Sequence, residues 1–193
     1  MGKLELVRSY NATAHLYDDR YKDEQMPKIS FLLDKIRPKE GDILLDVGCG
    51  TGLLFERANC RLIVGVDISI NMLREAKKRA AAESKQKSDG KIKDVELILA
   101  DAEFLPIRSE SVDVVVSITA LQLSGDQESA VSEVLRVLKD QGSFGIGIIK
   151  KAKIPNVLPK GTEIHNVEVL RDIFCVGKKD VNKGKSDFCE RSE

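Results

Sequence analysis

The run Leu44-Leu45-Asp46-Val47-Gly48-Cys49-Gly50-Thr51-Gly52 constrains the fold more than any other stretch of this chain. Its apolar residues, together with Ile43, predict a strand over 43–47, and glycines at alternate positions predict a sharp turn whose backbone lies close to a ligand. A buried strand that ends in such a turn belongs to an open parallel sheet, where ligands gather at the carboxyl ends of the strands. The rest of the chain keeps the same rhythm. Apolar runs at 62–66 and 95–100, and the β-branched run at 112–118, predict three more strands, and a fifth follows at about 143–149. A short helix after Gly52, a helix over 70–83 capped by Ser69, and helical periodicity over 126–139 separate them. Such alternation implies right-handed crossovers and an α/β, three-layer Rossmann-like fold with a mostly parallel sheet.

The carboxylates are placed for a ligand. A glycine-rich strand-to-helix turn also seats the pyrophosphate of dinucleotides, but the spacing here is G-x-G-x-G rather than G-x-G-x-x-G, and Asp46 directs an acid toward the place where phosphates would lie. S-adenosylmethionine, which has no phosphate and carries an ammonium and a sulfonium, suits an acidic strand end. Asp67 stands at the end of the second strand, where an acid can accept both ribose hydroxyls. Asp101 ends the third and can accept from an adenine amino group. Ser117 falls at the corresponding end of the fourth strand. Each of these acids has a structural alternative as a cap or turn residue, and a nucleotide-dependent oxidoreductase or a non-catalytic cofactor-binding module are the competing readings.

Four ordered motifs carry a resemblance. They are Asp46 to Gly52; Gly65-Val66-Asp67-Ile68-Ser69 with Met72-Leu73; Ala100-Asp101-Ala102-Glu103 with Leu105-Pro106; and Glu133-Val134-Leu135-Arg136-Val137-Leu138-Lys139. Across residues 40–150 the chain resembles class I S-adenosylmethionine-dependent methyltransferases, with the flavour of the ubiquinone/menaquinone-methyltransferase group. The resemblance implies a seven-stranded sheet closed by a C-terminal antiparallel hairpin, formed here by strands at 163–170 and 173–176 around Arg171-Asp172. It implies that the glycine loop (Asp46, Gly48, Cys49, Gly50, Gly52) holds the methionine part. Asp67, with Ile68 and Met72, would hold the ribose and its surroundings, and Asp101, with Ala102, the adenine. It also implies an N-terminal helical lid over the cofactor.

Composition sets the outer bounds. The 193 residues, 42% hydrophobic and 32% charged, suffice for one well-buried domain. The expected division is a lid over 1–40, a cofactor-binding core over 41–150, a closing hairpin over 151–177 and a flexible tail over 178–193. Balanced charge, with 31 basic and 31 acidic residues, gives no global pull toward nucleic acid or an anionic membrane. No apolar run is long enough for a membrane span. Cys49, Cys60, Cys175 and Cys189 lack paired or metal-ligand spacing and, with only two histidines, predict no metal site and reduced thiols in a cytoplasmic protein. The polar stretch 84–91, with Lys93 beyond it, reads as a solvated loop.

The methyl acceptor leaves the weakest trace. The segment Ser117-Ile118-Thr119-Ala120-Leu121-Gln122-Leu123 after the fourth strand is where it should be met, yet it holds neither an Asn/Asp-Pro-Pro-Tyr tetrad nor a histidine. Gln122 and Thr119 can hydrogen-bond an acceptor. In the lid, Tyr17 is the preferred contact among Tyr10, Tyr17 and Tyr21, and His15 is a candidate base because its pKa lies near neutrality. His165, in the hairpin, is a weaker candidate. The acceptor is expected to be a small molecule, with RNA or protein, and a partner subunit or homodimer completing an open cleft, as the alternative.

Overall fold

The computed structural model describes residues 2–86 and 94–180. Helices α1 (Lys3–Thr13) and α2 (Tyr17–Ile36) are joined by a single 3-10 turn, Ala14–Leu16, and lead into β1 (Ile43–Val47). There follow β2 (Leu62–Asp67), α3 (Ile70–Gln86), β3 (Asp94–Leu99), β4 (Val112–Ile118), α4 (Gln127–Val137), β5 (Leu138–Ile149), β6 (Glu163–Asn166) and β7 (Asp172–Lys178). The sheet has seven strands in the order β3-β2-β1-β4-β5-β7-β6. Strands β1 to β5 pair in parallel and β7 pairs antiparallel with both β5 and β6.

Period-two alternation along the central strands builds two cores. Leu44, Ile63, Val114 and Val116 face α2 and α3, packing with Ile29, Leu32, Leu73 and Phe55. Their neighbours Leu45, Val47, Val66 and Val115 face α4, packing with Ala130, Val131, Val134 and Val137. Burying each large apolar side chain contributes about 1.5–3 kcal/mol. With both faces covered, the sheet can offer a ligand only its strand ends. Order reverses between β1 and β4, the neighbours on either side of the glycine turn, and that crevice is where an open α/β sheet takes its ligand.

Most predicted elements stand within a residue or two, and the differences have local causes. Asp126 caps α4 by accepting from the N–H groups of Glu128 and Ser129, but the helix stops at Val137 because Leu138 turns extended. β5 therefore starts at Leu138 rather than Ser143: Leu138 pairs with Val112, the ladder slips, and pairing resumes at Val114–Ser143. Gln141, at φ 60°, and Gly142, where a Cβ would lie 2.9 Å from the Lys139 carbonyl, form the excursion between. In the hairpin the first strand ends at Asn166, because a turn closed by Leu170 N–H donating to the Val167 carbonyl takes over. The expected tail from 178 begins as ordered chain. Lys178 closes β7, and Lys179 donates from its backbone to Gly142 and from its ammonium to the Leu138 carbonyl. Most of the polar stretch at 84–91, and Cys189 with the rest of the tail, lie outside the described residues. Among the described residues no helix is long and apolar enough to cross a membrane.

Candidate active site

The glycine turn is fastened to its neighbours from below. The N–H groups of Gly48 and Cys49 both donate to the Val66 carbonyl, at 2.8 and 3.0 Å, which bends the chain back over the end of β2. Gly48 adopts φ 77°, and a Cβ there would lie 2.3 Å from the Ala120 Cβ, so only glycine lets the segment after β4 approach the turn this closely. Asp67 then locks the turn to α3: one carboxylate oxygen accepts from Gly50 N–H at 2.9 Å and the other from Ser69 N–H at 2.8 Å.

An open cleft lies over these strand ends. Gly48, Gly50, Asp67, Ile68, Met72, Asp101 and Ala102, all expected cofactor residues, share its wall with the lid residue Tyr17. Asp46 and Cys49 line a smaller cavity beneath the same turn, which shares Tyr17, Gly48, Gly50 and Ile118 with the cleft. Ser117 and Gly52 do not reach either space. The Ser117 hydroxyl is fully buried and donates to the Val47 carbonyl, tying β4 to β1, and Gly52 packs against the Phe55 ring where a Cβ would stand 2.5 Å away.

Electrostatics alters the reading of Asp46. Burial, reinforced by the negative charge of nearby Asp67, pushes its carboxyl up to about 8. Near neutrality it is therefore mostly protonated, a latent charge rather than a standing one. Asp67 is also raised by burial, opposed by the backbone N–H groups of Ser69, Gly50 and Ile68. Burial drives the Cys49 thiol well above its usual range, which suits a small packing residue rather than a nucleophile. The Tyr17 phenol is likewise driven far above its ordinary value, mainly by burial, and Tyr10 is raised for the same reason.

The N-terminal helices form one wall of the cleft through Lys3, Leu6, Tyr10 and Tyr17. Polar staples hold them there. The Asn11 side chain takes the Ser69 hydroxyl and the Asn71 N–H, while Thr51 Oγ1 donates to Asp18 at 2.5 Å and Arg79 pairs with both Asp18 and Glu56. Across the cleft, Ile118, Thr119, Ala120, Leu123 and Ser124 supply the opposite wall. Thr119 has φ 56°, rare for a β-branched residue. Its N–H donates to Gly147 and its hydroxyl donates to Asp172 at 2.6 Å, and Asp172 is in turn paired with the fully buried Lys28 at 2.9 Å.

Three of the weaker expectations fall away from the cleft. His15 lines an outer hollow with Asn71 and Arg74 instead. Gln122 sits in the 3-10 turn Leu121–Leu123 off the cleft wall, its amide atoms buried with no hydrogen-bond partner among the described residues. His165 packs edge-on against Phe31 and faces Glu163 at 3.0 Å. Sequence reasoning missed Lys3 and the Lys28–Asp172 pair. No local pattern marks them, since each joins its partner only through tertiary contacts about a hundred residues or more apart.

Known proteins share this arrangement. A family model described as a methyltransferase domain matches residues 45–146, over half of the chain. An uncharacterised protein of Methanocaldococcus jannaschii is 32% identical over 142 residues, 74% of this chain and 51% of that one. A malonyl-[acyl-carrier protein] O-methyltransferase of Marinomonas sp. is 28% identical over 80% of this chain and 55% of its own length. The chain thus spans about half the length of these curated relatives. Among solved structures, a putative S-adenosylmethionine-dependent methyltransferase from Methanococcus maripaludis shares the fold at a TM-score of 0.70 and 15% identity, over 92% of this chain and 94% of that one. With the domain match spanning the glycine turn and all three strand-end acids, this chain belongs to the class I S-adenosylmethionine-dependent methyltransferase family.

Proposed function

We propose that the chain transfers a methyl group from S-adenosylmethionine to a small, largely apolar acceptor whose nucleophilic atom arrives with no proton to lose. The residues fit the cofactor. A Cβ built on Gly50 would meet nothing nearer than the Tyr17 ring at 4.0 Å, which leaves room for a ligand against the backbone. Asp67 would accept the ribose hydroxyls, Asp101 and Ala102 would meet the base, Ile68 and Met72 would pack beside it, and Asp46 would meet the ammonium end. The cofactor supplies the activated methyl on its positively charged sulfur. The protein's part is alignment and exclusion of water.

The observation that carries the acceptor class is the chemistry of the opposite wall. Ile118, Ala120 and Leu123 make it largely apolar, with Leu6 facing them from α1. Tyr17, which shares the cleft wall with Gly48 and Gly50, has its phenol driven far above the ordinary value by burial and is no base at neutral pH. Within the same cleft Asp67 already accepts two backbone N–H groups and Asp101 is paired with Lys3. A carboxylate acceptor needs no base, and the Marinomonas relative is named for a malonyl-[acyl-carrier protein] acceptor. The cysteines Cys49 and Cys175 are buried thiols, in keeping with a reducing cytoplasmic setting.

The test is incubation with methyl-labelled S-adenosylmethionine and fractionated cell extract, followed by mass spectrometry of the labelled product. Label in the small-molecule or carrier-bound acyl fraction is the expected result. Label confined to RNA or to protein side chains refutes the small-acceptor reading, and no label in any fraction refutes catalysis.

A further inference from the structure

Lys3 opens α1 and reaches across the cleft to the segment after β3. Its ammonium lies 2.6 Å from Asp101 and 2.9 Å from Glu103. Glu103 is itself anchored, accepting from the N–H groups of Gly125 and Asp126 at the start of α4. The second Asp101 oxygen accepts from Glu103 N–H at 3.1 Å. The lysine is therefore held by two carboxylates, one of which is fixed to a helix terminus, and both Lys3 and Asp101 line the cleft.

We propose that Lys3 is a further cofactor-binding residue, which together with Asp101 forms the base subsite and draws α1 closed over it. The proposal rests on the adenosine-containing cofactor assigned above. An ammonium donor beside a carboxylate acceptor matches an aminopurine edge, where an exocyclic N–H donor adjoins a ring-nitrogen acceptor. Lys3 also neutralises carboxylates that would otherwise lie unpaired beside an uncharged base. Position within α1 supports the second role. The helix is set off from α2 by the 3-10 turn Ala14–Leu16, and α2 is pinned through Lys28 to β7. Asn11 holds its far end at Ser69 and Asn71, leaving Lys3 as the catch at the open end.

Binding of two probes, S-adenosylhomocysteine and 5′-methylthioadenosine, is measured by calorimetry for the wild type, Lys3→Met, Lys3→Arg and Asp46→Asn. The second probe keeps base and ribose but lacks the amino-acid end. Lys3→Met should weaken both probes about tenfold, and Lys3→Arg should restore most of the loss. Asp46→Asn should weaken only S-adenosylhomocysteine. A general loss of folded protein does not produce this pattern. Hydrogen exchange in α1 should slow on adding either probe to the wild type and slow less in Lys3→Met. Unchanged affinities in Lys3→Met overturn the proposal, and tighter binding overturns it by showing that Lys3 blocks the subsite. Failure of the wild type to bind either probe overturns the cofactor assignment and this proposal with it.

Discussion

Replacing Asp46 with asparagine should change both the pH dependence of stability and the affinity for the cofactor, in opposite senses. In the ligand-free protein the carboxyl sits at about 8, against an ordinary value of 3.8. An acid raised on folding binds more protons in the folded than in the unfolded state between those values. Stability therefore falls as pH rises from about 4 to about 8, and levels off above. A shift of about four pKa units corresponds to roughly 6 kcal/mol over the whole window, an upper bound on the order of the stability of a domain this size. Asp46→Asn removes that slope: it should match the wild type near pH 5 and exceed it by several kcal/mol near pH 9 in urea unfolding. Binding runs the other way. Pairing the carboxylate with the ligand's ammonium requires Asp46 to ionise, so the wild type should release most of a proton on binding S-adenosylhomocysteine at pH 7. Calorimetry in buffers of different ionisation enthalpy reads that proton directly. The asparagine variant should release none and bind about ten- to a hundredfold more weakly at pH 8, the worth of a hydrogen bond to a charged group. Parallel stability profiles for the two proteins, or equal proton release, would refute the reasoning.

Three further outcomes follow from single contacts. Asp67→Ala should weaken S-adenosylhomocysteine by about 1–3 kcal/mol, and unchanged affinity in a titration would remove Asp67 from the ribose site. Asp172→Asn leaves the fully buried Lys28 short of a counter-charge and should cost about 3 kcal/mol in chemical denaturation, the low end for a broken buried pair because Glu24 remains at 2.8 Å. Replacing both members, Lys28→Met with Asp172→Leu, should recover most of it. Gly48→Ala should destabilise by about 2–4 kcal/mol and abolish cofactor binding, through the clash with Ala120 and the positive φ. Adding Ala120→Gly should relieve the clash and recover part of the stability seen in a thermal melt.

Much of the fold was legible in local pattern because its physics is local. The apolar run at 43–47, the β-branched run at 112–118, the glycine punctuation at 48–52 and the Ser69 cap each depend on residues within a few positions. Boundaries went astray where distant contacts took over, as at Leu138, which leaves its helix to pair with Val112. The site divides along the same line. Acids at the ends of β1, β2 and β3 can be counted off the sequence because a parallel sheet brings all its carboxyl ends to one edge. Ser117 breaks the rule, since side chains alternate along a strand and its hydroxyl turns to the Val47 carbonyl instead of the cleft.

The order of strands and acids along the chain by itself determined the sheet, its ligand edge and a cofactor with a cationic end. Only the tertiary structure decided the charge state of Asp46, because desolvation depends on everything packed around it. It alone brought Lys3 to Asp101, and it alone set the Lys28–Asp172 pair behind Thr119, a residue of the cleft wall. These contacts join residues 53 to 144 positions apart, and no periodicity extends over such separations.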